Sequence, residues 1–491
     1  MSYLCSAVYS VFFWLASPLP KITRESRYQS HLHSNWRILR ALNERLAELT
    51  FFETRLIKRL FHPGTPFNPA KTPFFYGWVI WLLSTLGFLM SVPGQTMGMA
   101  VFTDPFIEAF GLNRTELSLA YLFGTVSSSF FLTTAGRWFD QFGGRFMVMA
   151  SSIALGAMVV FISVTDQLAH LLGTNFAPFG LIFIGYFGVR FFGQGVLTSC
   201  SRNVLMPWFV RRRGLVAGLR GVFVSIGFSL APLLLAWLIA VFGWREALWV
   251  LAAIVGLVFP LLTYLFLRDS PASVGLMADG DGSDAKATPK EAPSKTLREA
   301  RRSPILWLYT SSLAIHALFG TALTFHVVSI FSEAGRDASE AFGYFLPAAV
   351  FSTSVNLLAS SIVDRYQLKP FLVLMLMAFT MGAVGLLNLE STWGFWMLAA
   401  GFGTGGGLWV VISNLAFIRF FGPNHLGEVS GFNTSVTVFA SAIGPAAFSL
   451  ALDFFGAYHA AVYVCIVVLI VLLLVALWLD QTEPAAHAPP A

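Results

Sequence analysis

Charge is scarce in this chain: Asp, Glu, Lys and Arg make up 11% of its 491 residues, about half the share found in a water-soluble domain. With 56% hydrophobic residues, a body of this size has too little polar surface to face water on all sides, and lipid is the solvent that its composition suits. Cysteine is scarcer still. Cys5, Cys200 and Cys465 lie far apart, and two of them sit inside apolar runs, so they make no disulfide framework and read as small packing residues. No phosphate loop of the G-x-x-x-x-G-K-[ST] kind, nucleophile elbow or metal-ligand cluster occurs, so neither an enzyme nor a cofactor is expected. Acid groups are missing from one telling place: none of the 25 Asp and Glu residues falls near the middle of a long apolar run.

What the chain has in abundance is apolar length. Crossing about 30 Å of hydrocarbon takes roughly 20 residues of helix, because lipid offers no partner to an exposed backbone amide. Twelve such runs begin near Tyr76, Glu116, Phe146, Phe179, Leu215, Ala247, Ile305, Ala341, Phe371, Trp393, Val429 and His459. The expected fold class is therefore an all-α membrane protein with twelve transmembrane helices. If the segment before Tyr76 is cytoplasmic, 26 of the 31 Lys and Arg residues fall on that side. Arg114, Arg245 and Arg336 fall outside, and Arg190 and Arg220 fall within helices. This asymmetry accounts for the net charge of +6 without nucleic acid as a partner, and it puts both ends of the twelve-helix body in the cytoplasm.

Composition divides the chain further. Residues 1–75 form an expected cytoplasmic extension. Within it, residues 3–19 are apolar but short, without the basic start or cleavage site of a secretory signal. Leu39, Leu42, Leu46 and Leu49 follow at helical spacing beside six basic residues, the pattern of a basic amphipathic helix on an anionic membrane surface. Six-helix halves are expected at 76–267 and 304–480, joined by a flexible cytoplasmic linker over 268–303, where Asp, Lys, Gly, Ala and Pro replace the apolar pattern. The tail, 481–491, is expected to be disordered.

The two halves are related. At an offset of 213 residues, Gly214, Gly218, Pro232 and Gly243 in the fifth run fall on Gly427, Gly431, Pro445 and Gly456 in the eleventh without a gap. Duplicated six-helix units with a substrate site between them are a known transporter architecture, in which one half rocks on the other to give alternating access.

The turn after the second run reads GRWFDQFGGR, from Gly136 to Arg145, and resembles the G-x-x-x-D-R-x-G-R-R signature of the major facilitator superfamily. The opening Tyr76, Gly77 and Trp78, WFVRRRGLVAGL from Trp208 to Leu219, and GWRE from Gly243 to Glu246 are similar to the monocarboxylate and oxalate/formate branch. PASVGLMADG from Pro271 to Gly280 and HLGEVSGF from His425 to Phe432 resemble its bacterial members. The likeness runs from about Tyr76 to Leu479. It implies a monomeric, gradient-driven carrier of a small organic anion, monocarboxylate-like, in a bacterial inner membrane. It also implies a conformational latch from Gly136, Asp140 and Arg145, with Asp364 and Arg365 at the corresponding turn of the second half. Gln141 and Gly144 each stand where the signature has Arg. Members of the branch commonly carry an Arg in the eighth span, and here the polar residue of that region is Asn356.

Arg190 lies near the middle of the fourth run, where a charge is expensive unless it faces a cavity or a partner, and its planar fork suits a carboxylate. It is the first candidate for substrate recognition, with packing between helices as the alternative. Gln194, Gln95, Asn356 and Asn414 are further polar groups expected to face the cavity or to bridge helices. His316 and His326 are the candidates for proton coupling because imidazole changes charge near neutral pH, and His316 is also a candidate substrate contact. Two other functions compete: proton-coupled efflux of amphipathic compounds, in keeping with 15% aromatic residues, and a non-transporting receptor on the same scaffold.

Overall fold

Apolar segments in hydrocarbon satisfy their backbone groups internally, and helices do so within a single segment. The computed structural model of the protein describes residues 62–280 and 294–481; the expected amphipathic helix at 39–49 and the tail beyond 481 lie outside the described residues. The first half contains α1 (Gly77–Gly94), the bent α2 (Thr115–Ser129 with Leu132–Phe142, 47° apart), α3 (Gly144–Ser163), α4 (Ala177–Leu205), α5 (Arg213–Phe242) and α6 (Trp244–Phe266). The second contains α7 (Pro304–Glu333), α8 (Ser339–Arg365), α9 (Leu368–Leu387), α10 (Thr392–Phe421), α11 (Leu426–Phe455) and α12 (His459–Trp478). Each begins within three residues of its expected start, and no strand occurs among the described residues. Leu233 and Trp478, 68% and 87% exposed, belong to an apolar outer surface that suits lipid.

The repeat is visible in the structure. Pro232 and Pro445 lie inside α5 and α11. Gly243 and Gly456 terminate these helices at φ of 91° and 72°, a backbone region that glycine enters without steric cost.

Three irregular stretches shape the interior. α1 breaks around Pro93, with a tight turn at Val92–Gly94 followed by the short helix Thr96–Ala100, because proline supplies no amide to continue the ladder. α4 widens into π-type turns over Arg190–Leu197, and Gly94 packs against this stretch so closely that a Cβ there would lie 2.4 Å from the Val189 carbonyl oxygen. α2 bends between Ser129 and Leu132.

Within the expected linker over 268–303, the described parts, residues 268–280 and 294–303, are fastened by hydrogen bonds to backbone groups of the helical body. Asp279 Oδ2 accepts from the amides of Val210 and Arg211, both at 2.9 Å, and the Lys295 amide donates to the Phe421 carbonyl at 2.9 Å. A capping box formed by Thr296 and Glu299 opens the helix Leu297–Ala300. Residues 62–67 are likewise fastened to the first half. Arg145 Nη2 donates to the Thr65 carbonyl at 2.8 Å, and Arg268 Nε donates to the Pro63 carbonyl at 2.7 Å.

Candidate functional site

The halves are locked together on the side that carries most of the Lys and Arg residues. The first amides of any helix lack intrahelical partners and carry the positive end of its dipole, so a carboxylate there is stabilising. Asp140, in the last turn of α2, accepts from the amides of Gly427 and Glu428 at the start of α11, both at 2.8 Å. The related residue Asp364, at the end of α8, accepts from the Gly214 amide at 2.8 Å and from Leu215 at 3.3 Å at the start of α5. Gly136 permits the approach: a Cβ there would lie 2.0 Å from the Gly427 carbonyl oxygen. Arg137 adds an ion pair to Glu428 at 2.8 Å.

Two expected members of the latch are placed elsewhere. Arg145 points away from α11 and donates to the carbonyls of His62, Thr65 and Tyr264, because its position at the start of α3 faces the 62–67 strap. Arg365 is exposed, and the cation beside Asp364 is Arg419 of α10, at 3.4 Å.

Toward mid-membrane from these latches, a cavity of about 430 Å³ lies between the halves. From α4, Gln194, Thr198 and Arg202 line it at i, i+4 and i+8, one face of a helix. Arg220, Val224 and Phe228 of α5 repeat that spacing, and Phe88 and Gln95 complete the wall of the first half. The second half contributes Trp409 and Asn414 from α10, with Asn433, Thr434 and Thr437 from α11.

Arg202 and Arg220 set the charge of this cavity. Arg220 is 2% exposed. Its Nη2 donates across the interface to Asn414 Oδ1 at 2.6 Å, its Nη1 donates to Ser84 Oγ at 3.2 Å, and its Cζ lies 4.8 Å from the centre of the Phe88 ring. Arg202 Nη2 donates to Thr434 Oγ1 at 3.3 Å, while its buried Nε has no acceptor. Among the described residues, no carboxylate forms an ion pair with either guanidinium, and no Asp, Glu or His lines the cavity. Charges at this depth are ordinarily paired or directed at a pathway, so the two uncompensated guanidiniums make a site complementary to an anion.

The other expected site residues divide by location. Gln194, Gln95 and Asn414 line the cavity. Arg190 does not; its Nη1 donates to the Gly94 carbonyl at 3.0 Å and its guanidinium lies over the Tyr121 ring at 5.1 Å. The break in α1 exposes that carbonyl, and Arg190 satisfies it. Asn356 is wedged between helices, its Nδ2 donating to the Gly218 carbonyl at 3.3 Å. His316 lies behind the wall, stacked on Phe379 at 4.3 Å and tilted against Trp409 at 5.6 Å. His326 lines a separate recess with Phe325, Ser329 and Glu333, and its Nε2 is 3.0 Å from the Pro445 carbonyl oxygen. Neither histidine reaches the cavity.

Sequence reasoning did not assign a role to Arg202 or Arg220. In sequence Arg202 belongs to the 26 basic residues assigned to the cytoplasmic side, close before Arg211, Arg212 and Arg213, yet α4 continues through it to Leu205. The signal was the spacing from Gln194 through Thr198.

A model of the Major Facilitator Superfamily matches residues 83–445. A probable sulfoacetate transporter of Cupriavidus necator is 27% identical over 165 residues, which cover 33% of this chain and 35% of that protein. A probable L-galactonate transporter of Escherichia coli is 25% identical over 163 residues, 33% of each chain. The match thus spans about a third of the length of these two relatives. In fold, the chain is similar to a proton:xylose symporter bound to 6-bromo-6-deoxy-D-glucose, with a TM-score of 0.62, 14% identity, and coverage of 84% of this chain and 97% of that one.

Proposed function

The chain belongs to the Major Facilitator Superfamily, and from that premise we propose that this multi-pass membrane transporter carries a small organic anion by alternating access, held by Arg202 and Arg220. The observation that carries the proposal is the pair of guanidiniums in the cavity wall without a carboxylate partner. An anion entering the cavity neutralises charge that the protein leaves open, and it can take over the donors that Arg220 lends to Asn414 and Arg202 lends to Thr434. The names of the two relatives, sulfoacetate and L-galactonate transporters, agree with an anionic cargo.

With the basic side taken as cytoplasmic, the Asp140 and Asp364 latches close the inner face and the cavity belongs to an outward-facing state of a cell-membrane carrier. The sequence candidates for proton coupling, His316 and His326, stand outside the cavity, so a coupling proton that passes through the site would travel on the substrate. Efflux of amphipathic compounds draws support from the apolar side chains of Phe88, Phe228 and Trp409, but two unpaired arginines repel the cationic members of that class.

The test is uptake of labelled organic acids and their neutral amides into liposomes containing the purified protein. The acids are expected to enter and to compete with one another, and the amides to do neither. Uptake of amides and acids alike, or of no acid at all, would remove the anion from the account.

A further inference from the structure

Side-chain amides in this interior generally have protein partners. Asn203 Nδ2 donates to Ser430 Oγ at 2.7 Å, Gln95 Nε2 to Ser91 Oγ at 3.0 Å and Asn414 Nδ2 to the Val410 carbonyl at 2.7 Å. Gln194 and Asn433 differ. Among the described residues, Gln194 Oε1 and Asn433 Oδ1 are buried with no hydrogen-bond partner, although Asn433 as a residue is only 3% exposed. Both line the central cavity, one from α4 and the other from α11, so the unpartnered amide oxygens stand on opposite halves around one space. A buried polar group without a partner is destabilising, and its persistence in a binding cavity points to a ligand that completes it.

The chemistry of that ligand follows from the amide. A side-chain amide offers a donor and an acceptor. A carboxylate or sulfonate can use only the donor, whereas a hydroxyl, itself a donor and an acceptor, can use either. Gln194 lies on the same face of α4 as Arg202 but eight residues away, about 12 Å along the helix axis. Asn433 is next to Thr434, the residue that Arg202 contacts across the interface. The cavity therefore has a cationic end near the latches and amide groups that extend from beside it toward the far side.

We propose that Gln194 and Asn433 read hydroxyl groups along the body of the substrate, so that the transported anion is a hydroxylated acid rather than a plain monocarboxylate. The inference rests on the anion reading above and narrows its substrate class. The volume of about 430 Å³ falls within the ordinary range of small-molecule sites, about 300–1,000 Å³, and leaves room for a chain of several carbons.

The experiment uses the full-length protein in liposomes and two length-matched pairs of labelled acids, gluconate against hexanoate and glycerate against propionate. For each protein, kcat/KM is expressed as the ratio of the hydroxylated acid to its deoxy partner, so that expression level and general loss of activity cancel. A site built to pair with hydroxyls discriminates strongly against analogues that lack them, and the wild type is expected to favour gluconate over hexanoate by about ten-fold or more. Gln194→Leu and Asn433→Leu are expected to reduce that ratio toward one, each by several-fold. A wild-type ratio near one, or ratios unchanged in both variants, would mean that water alone serves these amides and would overturn the hydroxyl reading while leaving the anion reading intact. Absence of uptake for every acid tested would overturn both.

Discussion

Replacing Asp140 by Asn should open the basic side of the protein, and the size of the effect can be worked from two hydrogen bonds. The Asp140 carboxylate accepts from the Gly427 and Glu428 amides at 2.8 Å each. Hydrogen bonds to a charged group are worth about 1.5–3 kcal/mol net, against about 0.5–1.5 for neutral ones, and a charge at a helix N-terminus adds about 0.3–1 kcal/mol. Asn keeps one neutral acceptor and loses the other bond and the charge, so the closed state loses at least about 2 kcal/mol, or roughly a 30-fold shift or more in the equilibrium between closed and open. Asp364→Asn should act similarly through Gly214, and the double variant should shift the equilibrium by about the product of the two factors, since the latches share no residue. Spin labels on exposed Gln141 and Asn424, which flank the Asp140 latch, report the separation in reconstituted protein. The expected result is a longer-distance population that grows in each single variant and dominates in the double. Unchanged distance distributions in the double variant would refute the assignment of these carboxylates as latches.

Gly136→Val places carbon where a Cβ already meets the Gly427 carbonyl oxygen at 2.0 Å; overpacking of about 1–3 kcal/mol should increase the same long-distance population. Arg190→Leu leaves the Gly94 carbonyl unpaired and should lower thermal stability in detergent by about 1–3 kcal/mol, while KM for the transported acid stays within about two-fold; a large KM change with normal stability would return Arg190 to the binding site. Asp166, on the opposite side from the latches, is held below the ordinary carboxylate range by its hydrogen bond to Arg245. A lowered folded-state pKa stabilises the folded form above the unfolded value of about 3.9 and loses that effect as pH falls through the folded value. Because the pair is partly solvated, its contribution is about 0.5 kcal/mol. Asp166→Asn should therefore be slightly less stable than wild type at pH 7, with the difference vanishing as pH falls through the lowered folded-state value, as measured by thermal unfolding in detergent.

The twelve spans and the duplicated halves were legible because lipid imposes one requirement on every segment, an apolar run long enough to cross as helix. The glycines and prolines at the 213-residue offset carried the repeat: the prolines lie inside α5 and α11, and the glycines close these helices or let them approach a neighbour. The site was legible only in part. Gln95, Gln194 and Asn414 were expected to face the cavity or to bridge helices, and they line the cavity, but Arg190 drew attention because it sits mid-helix, and depth does not show which way a side chain points. The break at Pro93 and the π-type turns of α4 direct Arg190 to a backbone carbonyl, a contact between helices that neither run shows by itself. Arg202 was hidden by the loop cations that follow it, and Arg220 was seen as a helical charge without a face, since its partners Ser84 and Asn414 lie 136 and 194 residues away in sequence. One described end of the expected linker is anchored in a way that its polar composition does not show, since the carboxylate of Asp279 accepts from the backbone amides of Val210 and Arg211.

The central claim is that Arg202 and Arg220, rather than Arg190, hold the transported anion. It is tested most directly by kcat/KM for the best-transported acid in liposomes bearing Arg202→Gln, Arg220→Gln or Arg190→Gln, each normalised to folded protein. Loss of a charged hydrogen bond of about 1.5–3 kcal/mol predicts reductions of roughly 10- to 150-fold for Arg202→Gln and Arg220→Gln, expressed mainly in KM, with a much smaller effect per folded molecule for Arg190→Gln. Wild-type KM in both cavity variants, or a selective rise in KM for Arg190→Gln alone, would contradict the account.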